Sequence, residues 1–183
     1  MSMFKTLDGQ IYLSIFFITL LFCSFSSTAN NYSIYLVRHA EKVSNEKDPQ
    51  LTRCGISRAK QLASILSETK ITQVYSTHYQ RTMQTASPLA QQQKIAIKNY
   101  NPRYLEQFSL ELQQKKTNTL VVGHSNTTPR LVKLLTKQDI APLSEQEYQQ
   151  LYQVQYIDEH VVLTILKQPK TCKNKSKEHK KSS

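Results

Sequence analysis

Acidic residues, cysteines and long apolar runs are all scarce in this sequence. Asp and Glu total 13 against 24 Lys and Arg, which gives a formal net charge of +11. Seven of the lysines lie in residues 167–183, so the rest of the chain is only mildly basic. The 183 residues are too few for two full domains. A polytopic membrane protein and a wholly disordered chain are excluded by the ordinary mixture of apolar and charged residues, which provides for one buried core.

The one long apolar run lies near the N-terminus, in residues 11–25. It is shorter than the ~20 residues that span a bilayer, and Lys5 precedes it. Small residues ending at Ala29 follow, as they do before a signal-peptidase cut. The pattern predicts a secretory signal in residues 1–29 and an exported protein, periplasmic or secreted. An uncleaved anchor is the alternative, because Asp8 offsets the positive charge before the run.

The remaining chain is predicted to hold one domain, residues 30–166, and a lysine-rich end, residues 167–183. We expect this end to be disordered, and peripheral attraction to an anionic cell envelope is the functional alternative. Two cysteines remain, Cys54 and Cys172, and export would place them in an oxidising compartment. Their spacing does not decide between a disulfide and two unrelated thiols.

Short β-branched segments alternate with helical patterns along residues 33–166. Strands are predicted at residues 33–37, 73–76, 95–97, 119–122, 151–156 and 161–166, and helices from about residues 52, 80, 105 and 127. This alternation predicts an α/β three-layer sandwich with a mostly parallel central sheet. The last two strands are expected to form an antiparallel hairpin at the sheet edge. Before them, Ser144 and Glu147 have the spacing of a capping box that opens a short helical turn.

Charged and polar residues come directly after the most clearly predicted strands. Arg38 and His39 follow the first strand, His124 follows the fourth, and Arg81 lies near the start of the second helix. Because ligands of such sheets bind beyond the carboxyl ends of the strands, we expect these four side chains to converge. Guanidinium groups match the paired oxygens of phosphate, and the helix that opens after Gly123 adds N–H donors. The sequence therefore predicts an anion-binding pocket.

Two histidines in a cationic pocket favour phosphoryl chemistry. Nearby guanidiniums disfavour the protonated imidazole, so the ring keeps a lone pair that can attack phosphorus. The second histidine could hydrogen-bond the charge that gathers on the phosphoryl oxygens. A two-histidine metal hydrolase lacks a carboxylate or cysteine at recognisable ligand spacing. Nucleic-acid binding is not indicated, since aromatic and basic residues do not interleave.

Four ordered motifs resemble those of the histidine phosphatase superfamily, also called phosphoglycerate mutase-like. They are L-V-R-H-A-E-K at residues 36–42, L-T-x-x-G at 51–55, S-T-x-x-x-R-T-x-Q-T-A at 76–86 and V-G-H-S at 122–125. The resemblance covers roughly residues 32–166. It implies a phosphoglycerate mutase-like fold and a phosphoryl transfer that uses neither a metal nor another cofactor.

The resemblance also implies roles for individual residues. His39 would be the nucleophile that becomes phosphohistidine, while Arg38, Arg81 and His124 would hold the phosphoryl group. Ser76 would help to orient the pocket. One departure is visible, because Ala40 stands where family members usually have glycine after the Arg-His pair.

The acid that protonates the leaving group is the second departure. Longer family members carry a Glu or Asp for this step in an insertion between the third and fourth strands, and this chain has only residues 100–118 there. Glu106 is the best candidate and Glu111 the next. The alternative reading is that Glu106 simply faces solvent on a helix. The smallest family members act on phosphohistidine in proteins and lack an obvious acid, since a nitrogen-linked phosphate needs less help to leave.

The sequence thus predicts an exported phosphatase that hydrolyses phosphomonoesters or phosphohistidine through His39. Its substrate would be a phosphorylated small molecule or a phosphoprotein, reached through an open site because the insertion is short. A phosphoglycerate mutase-type phosphotransferase is the alternative within the fold. A catalytically weak phosphate- or anion-binding module is the alternative from another class.

Overall fold

The structure, a computed structural model, describes residues 31–44, 46–169 and 172, which form six strands and four helices. In chain order these are β1 (Tyr32–Arg38), α1 (Arg53–Ile65), β2 (Gln73–Ser76), α2 (Gln80–Gln92), β3 (Ile97–Asn99), α3 (Leu105–Lys115), β4 (Thr119–Gly123), α4 (Thr127–Thr136), β5 (Gln150–Ile157) and β6 (His160–Lys167). The predicted signal, residues 1–29, and most of the lysine-rich end lie outside the described residues. None of the four described helices is long and apolar enough to cross a bilayer.

The six described strands form one sheet in the order β3-β2-β4-β1-β5-β6. The first four strands of the chain run parallel to one another, whereas β5 runs antiparallel to both of its neighbours, β1 and β6. The predicted mostly parallel sheet with an antiparallel edge hairpin is therefore confirmed. In the β1–β4 pair, Arg38 lies opposite Gly123. The residues that follow these two strands, His39 and His124, are consequently brought side by side.

The central strands are buried on both faces of the sheet because helices pack against each face. On one face, Ile34 and Leu36 of β1 pack in a core that includes side chains of α3 and α4. On the other face, Tyr35 and Val37 pack in a core with side chains of α1 and α2. Alternate side chains of β1 thus pack against helices on opposite faces, and the sheet is the middle one of the three predicted layers.

Two predicted elements differ from the structure. The third strand is Ile97–Asn99 and not residues 95–97, because the Ile95 amide donates to the carbonyl oxygen of Ala90 and holds that residue against the end of α2. The predicted helical turn at Ser144 is only a turn. The Ser144 amide donates to the Glu147 carboxylate at 2.7 Å, and the Glu147 amide returns to the Ser144 carbonyl oxygen at 3.1 Å, but no helix continues from it.

Ordered contacts extend past the predicted domain boundary at Leu166. β6 ends at Lys167, and the next residue, Gln168, is buried with its amide bonded to the carbonyl oxygen of Gln149. Cys172 forms a disulfide with Cys54 in the first turn of α1, across 118 residues of chain. The choice that the spacing left open is thereby decided for a disulfide.

Candidate active site

The loop after β1 is fixed by backbone hydrogen bonds to its neighbours. The His39 amide donates to the carbonyl oxygen of Gly123 at 2.9 Å, which continues the β1–β4 pairing by one residue. The Ala40 amide donates to Thr85 Oγ1 at 2.9 Å. Ala40 is fully buried against Leu51 and Ala59. The methyl group that replaces the usual glycine hydrogen is therefore accommodated in a small apolar cluster.

The L-T-x-x-G motif holds α1 against this loop. Thr52 caps α1 by accepting a hydrogen bond from the Gly55 amide, and the Thr52 amide donates to the carbonyl oxygen of Glu41. Any side chain at Gly55 would collide with that same carbonyl group. The buried side chain of Arg58 then donates hydrogen bonds to the Glu41 carboxylate from Nε and Nη2, at 2.9 and 2.6 Å. The motif thus braces the residue two positions after His39.

The His39 ring is held as a neutral imidazole with one free nitrogen. Nδ1 lies 2.8 Å from the carbonyl oxygen of Ala40, and because a carbonyl oxygen only accepts, Nδ1 carries the proton and donates it. Nε2 therefore keeps its lone pair. Burial lowers the pKa of His39 to about 3, and the charges of Arg38 and Arg81 lower it further against the opposing effect of the Ala40 carbonyl. The ring therefore stays neutral at neutral pH, and its Nε2 lone pair is available for a nucleophilic attack.

The His124 ring lies against His39, with their ring centroids 5.6 Å apart. Its Nδ1 is 3.5 Å from Nη2 of Arg81 and its Nε2 is 2.9 Å from Thr77 Oγ1. Since a guanidinium only donates, Nδ1 accepts and the Nε2–H donates to Thr77. Burial lowers the pKa of His124 to about 4, with Arg81 the next cause. Both histidines are therefore neutral, as the sequence predicts, although burial contributes more than the neighbouring cations.

Arg38 is buried and enclosed by the turn that precedes β5. Its Nη1 donates to the carbonyl oxygens of Ser144 and Glu147, at 2.8 and 3.3 Å. Its Nη2 donates to the carboxylate of Glu145 at 2.9 Å. The guanidinium also lies over the ring of Tyr148, 4.3 Å from its centroid. The Nε–H alone is buried without a hydrogen-bond partner among the described residues.

Arg81 is held by side chains at the rim of the pocket. Its guanidinium lies 4.4 Å from the ring centroid of Tyr79 and 3.7 Å from the carboxylate of Asp48. Its Nε–H is also buried without a partner among the residues described. Buried donors without an acceptor are unusual in folded proteins and often mark a ligand site. Two such donors beside the neutral histidines indicate that the pocket receives an anion.

The structure brings together four of the predicted site residues, whereas the side chains of the other three make their contacts elsewhere. Arg38, His39, Arg81 and His124 share one pocket, and the charges of both guanidiniums act on both imidazoles. Ser76 is buried and donates to the carbonyl oxygen of Thr77, so the hydroxyl that orients His124 belongs to the next residue.

The two predicted acids contact neither histidine in the described hydrogen bonds. Glu106 is exposed at the start of α3 and pairs with Arg130. A hydrogen bond from its own backbone amide, and then Arg130, lower its pKa. Glu111 accepts a hydrogen bond from Tyr75 and lies 3.6 Å from Lys115.

Five residues of the pocket and its rim were not predicted from the sequence. They are Asp48, Thr77, Tyr79, Glu145 and Tyr148. Thr77 had a signal, since it is the second residue of the S-T-x-x-x-R motif. Glu145 had none, because it lies 107 residues from Arg38 in the chain. Within the described residues, no three His, Cys, Asp or Glu side chains are grouped to hold a metal ion.

Residues 34–103 match a family described as histidine phosphatase superfamily (branch 1). No curated protein matches the chain.

Solved structures of low sequence identity share the fold. The protein histidine phosphatase SixA in complex with tungstate is 13% identical, with a TM-score of 0.61 over 74% of this chain and 96% of that one. The alpha-ribazole phosphatase of Shigella flexneri is 14% identical, with a TM-score of 0.61 over 74% and 96%. The Entamoeba histolytica phosphoserine phosphatase in complex with 3-phosphoglyceric acid is 15% identical, with a TM-score of 0.55 over 75% and 98%. Residues 34–103 are thus similar in sequence to the histidine phosphatase superfamily (branch 1), and 74% of the chain shares the fold of a protein histidine phosphatase.

Proposed function

We propose that the protein is a phosphatase that works through a phosphohistidine on His39. The observation that carries this proposal is the hydrogen bond from Nδ1 of His39 to Ala40, which leaves a lone pair on Nε2 inside a pocket of two guanidiniums. A neutral, buried and oriented imidazole is an activated nucleophile. The cationic groups around it are suited to the charge of a phosphoryl group and not to a carbonyl substrate.

The reaction has two displacements. Nε2 of His39 forms a bond to phosphorus, and the bond from phosphorus to the leaving group breaks with its electron pair on the leaving atom. Water then attacks the phosphohistidine, the N–P bond breaks, and the electron pair returns to Nε2 as inorganic phosphate departs. Arg38 and Arg81 stabilise the phosphoryl oxygens in both steps, and positioning with electrostatics supplies most of the rate.

The substrate is proposed to be a phosphomonoester or a protein phosphohistidine. The three similar structures are described as a protein histidine phosphatase, an alpha-ribazole phosphatase and a phosphoserine phosphatase. Beside Tyr79, an open groove of about 590 Å³ extends past Asn99 and Pro102 to Arg103. Its open shape supports a leaving group that extends away from the pocket, as a small ester or a protein side chain would.

Export is proposed on the apolar run of residues 11–25 and on the disulfide. The bond between Cys54 and Cys172 supports an oxidising compartment, since such bonds rarely persist in the cytosol. The test is fractionation of cells that express the full chain. Recovery of a shortened protein outside the cytosol is expected, and a full-length cytosolic protein would contradict export.

The proposed function is tested with an aryl phosphate and purified protein. Wild type is expected to release inorganic phosphate and to accumulate an acid-labile phosphoryl group, which His39→Ala should abolish. His160→Ala is the matched control, because His160 is exposed at the start of β6. If His39→Ala still hydrolyses the substrate, His39 is not the nucleophile. If wild type binds phosphate without hydrolysing the substrate, the anion-binding module is favoured instead.

A chelator and one further variant complete this test. Activity that persists in a chelator is expected for the metal-free route, and its loss would favour a metal hydrolase. Glu106→Gln tests the predicted acid on an alkyl phosphate, whose poor leaving group needs a proton. Unchanged hydrolysis by this variant would dispose of Glu106 as the acid.

A further inference from the structure

A carboxylate of the protein itself is bound to one edge of the Arg38 guanidinium. Glu145 accepts from Nη2 of Arg38 through Oε2 and from the hydroxyl of Ser125 through Oε1, each at 2.9 Å. Ser125 directly follows His124, so the carboxylate bridges the ends of β1 and β4. The pocket therefore already holds one negatively charged group, the Glu145 carboxylate.

The guanidinium of Arg38 has two edges with different partners. Nη1 is bound to the carbonyl oxygens of Ser144 and Glu147. Along the other edge, Nη2 binds Glu145 while the Nε–H is buried without a partner among the described residues. A phosphoryl group that binds in the bidentate manner needs both donors of one edge. This edge offers one free donor and one donor that Glu145 holds.

The two partners of this ion pair differ greatly in exposure. The side chain of Arg38 is 2% exposed, whereas that of Glu145 is 76% exposed. Glu145 therefore reaches in from solvent and can return to water without becoming a buried unpaired charge. Arg38 would stay in place, because Nη1 keeps its two carbonyl partners and the ring of Tyr148 supports the guanidinium.

We propose that Glu145 competes with the phosphoryl group of the substrate for Arg38 and thereby determines how tightly the pocket binds phosphate. The proposal rests on the proposed function, since it assigns the phosphoryl group to the same pocket. Binding displaces the carboxylate from Nη2 and from Ser125, and both donors then turn to the phosphoryl oxygens. Glu145 is in this sense an affinity-determining residue of the site and not its acid.

The test compares Glu145→Gln and Glu145→Ala with wild type. Dissociation constants for inorganic phosphate and for tungstate are measured by calorimetry, and kcat and KM are measured on an aryl phosphate. Both variants are expected to bind either anion about tenfold more tightly, because a charge-assisted contact no longer opposes binding. KM should fall with the dissociation constant, while kcat stays within about twofold because chemistry on His39 is untouched.

Asp139→Asn is the matched control. It makes the same charge change on an exposed carboxylate of the segment between α4 and β5, where Asp139 pairs with Lys133 and not with Arg38. This control should leave both anion affinities unchanged. If Asp139→Asn tightens binding as much as Glu145→Gln, general charge and not competition for Arg38 is the cause, and the proposal is overturned.

Three other results would also overturn the proposal, and they separate it from the proposed function. Anion affinity that is unchanged or weaker in both Glu145 variants removes the competition. A lower kcat on an alkyl phosphate with unchanged affinity makes Glu145 a proton donor instead. If wild type and variants all fail to bind either anion while thermal unfolding shows them folded, the phosphate pocket itself is refuted, and the proposed function with it.

Discussion

The pocket consists of two halves that contain the same kinds of side chain but hold them in place by different contacts. Each half has one guanidinium, one imidazole, one carboxylate and one tyrosine ring. The Arg38 half comprises Arg38, His39, Glu145 and Tyr148, and the Arg81 half comprises Arg81, His124, Asp48 and Tyr79.

The Arg38 half is built largely by backbone and the Arg81 half by side chains. Carbonyl oxygens of Ala40, Ser144 and Glu147 fix its imidazole and guanidinium. In the Arg81 half the corresponding contacts come from the hydroxyl of Thr77 and from a carboxylate 3.7 Å away. Because a backbone carbonyl group is less free to move than a side chain, the imidazole and guanidinium of the Arg38 half are held more firmly than those of the Arg81 half. Glu145, by contrast, is an exposed side chain of the Arg38 half.

Replacing the two arginines should give the largest difference between the halves. Arg38→Ala is expected to lower kcat/KM about a thousandfold, because a preorganised donor pair is lost. It should also lower the free energy of unfolding by about 2 kcal/mol, since the carbonyl oxygens of Ser144 and Glu147 lose their shared partner. Kinetics on an aryl phosphate and urea unfolding measure both quantities.

Arg81→Ala is the comparison for this prediction. It should lower kcat/KM by a similar factor, yet change the free energy of unfolding by less than about 1 kcal/mol, because its carboxylate contact is long and near the surface. Equal loss of stability in the two variants would show that the halves are built alike.

Acid should destabilise the protein through both histidines. The folded state lowers the pKa of His39 to about 3 and of His124 to about 4, so the unfolded chain takes up these protons first. The free energy of unfolding is therefore expected to fall as the pH decreases from about 6.5, by up to about 1.4 kcal/mol per pH unit for each histidine. The decrease from His124 should end near pH 4 and that from His39 near pH 3.

Urea unfolding between pH 7 and pH 4 is the measurement, on wild type and on His39→Asn and His124→Asn. Carboxylates titrate in the lower part of this range in all three proteins, so the differences between the curves are what matters. A wild-type curve that runs parallel to both variants would mean that neither histidine is held neutral by the fold.

Thr77→Val should have a moderate effect that is confined to the Arg81 half. Valine preserves the shape but removes the oxygen that accepts from Nε2–H of His124, so the ring loses its fixed orientation. We expect kcat/KM to fall about tenfold with the fold intact. Thr164→Val in β6 is the control, since it makes the same change outside the pocket. Equal activity of Thr77→Val and wild type would show that Arg81 alone orients His124.

Asp48→Asn should have the smallest effect. The Asp48 carboxylate is half-exposed, 3.7 Å from Arg81, and accepts a hydrogen bond from the Gln80 amide at 3.1 Å. Because asparagine keeps an oxygen that can accept from this amide, the variant is expected to change stability by less than about 0.5 kcal/mol. Activity should change less than twofold, in contrast to the effect expected at Glu145 in the other half. A large gain in phosphate affinity from Asp48→Asn would show that both carboxylates compete with substrate.

The predicted site residues that the structure brings together share a local signal. Arg38, His39 and His124 directly follow buried apolar strands, and strand ends can be read from a few neighbouring residues. Their convergence then follows from the general rule that parallel strands end at one edge of the sheet. Arg81 was included from its position near the start of the helix that follows β2, and the resemblance of ordered motifs then implied that it holds the phosphoryl group.

The residues that were missed depend on contacts between distant segments. Glu145 and Tyr148 reach Arg38 only because the antiparallel β5 pairs with β1, and nothing in the turn itself indicates this. The same limit explains the disulfide, whose cysteines are 118 residues apart. Glu106 was predicted from its position in the insertion, where its ion pair with Arg130 of α4 could not be foreseen.

The hydrogen bond between His39 and its neighbour's carbonyl group would decide which isomer of the proposed phosphoenzyme can form. With Nδ1 engaged as a donor to Ala40, only the far ring nitrogen can carry the phosphoryl group. An antibody that recognises 3-phosphohistidine should therefore detect the trapped intermediate, and one raised against 1-phosphohistidine should not. An immunoblot would thus reveal the effect of a hydrogen bond to the main chain.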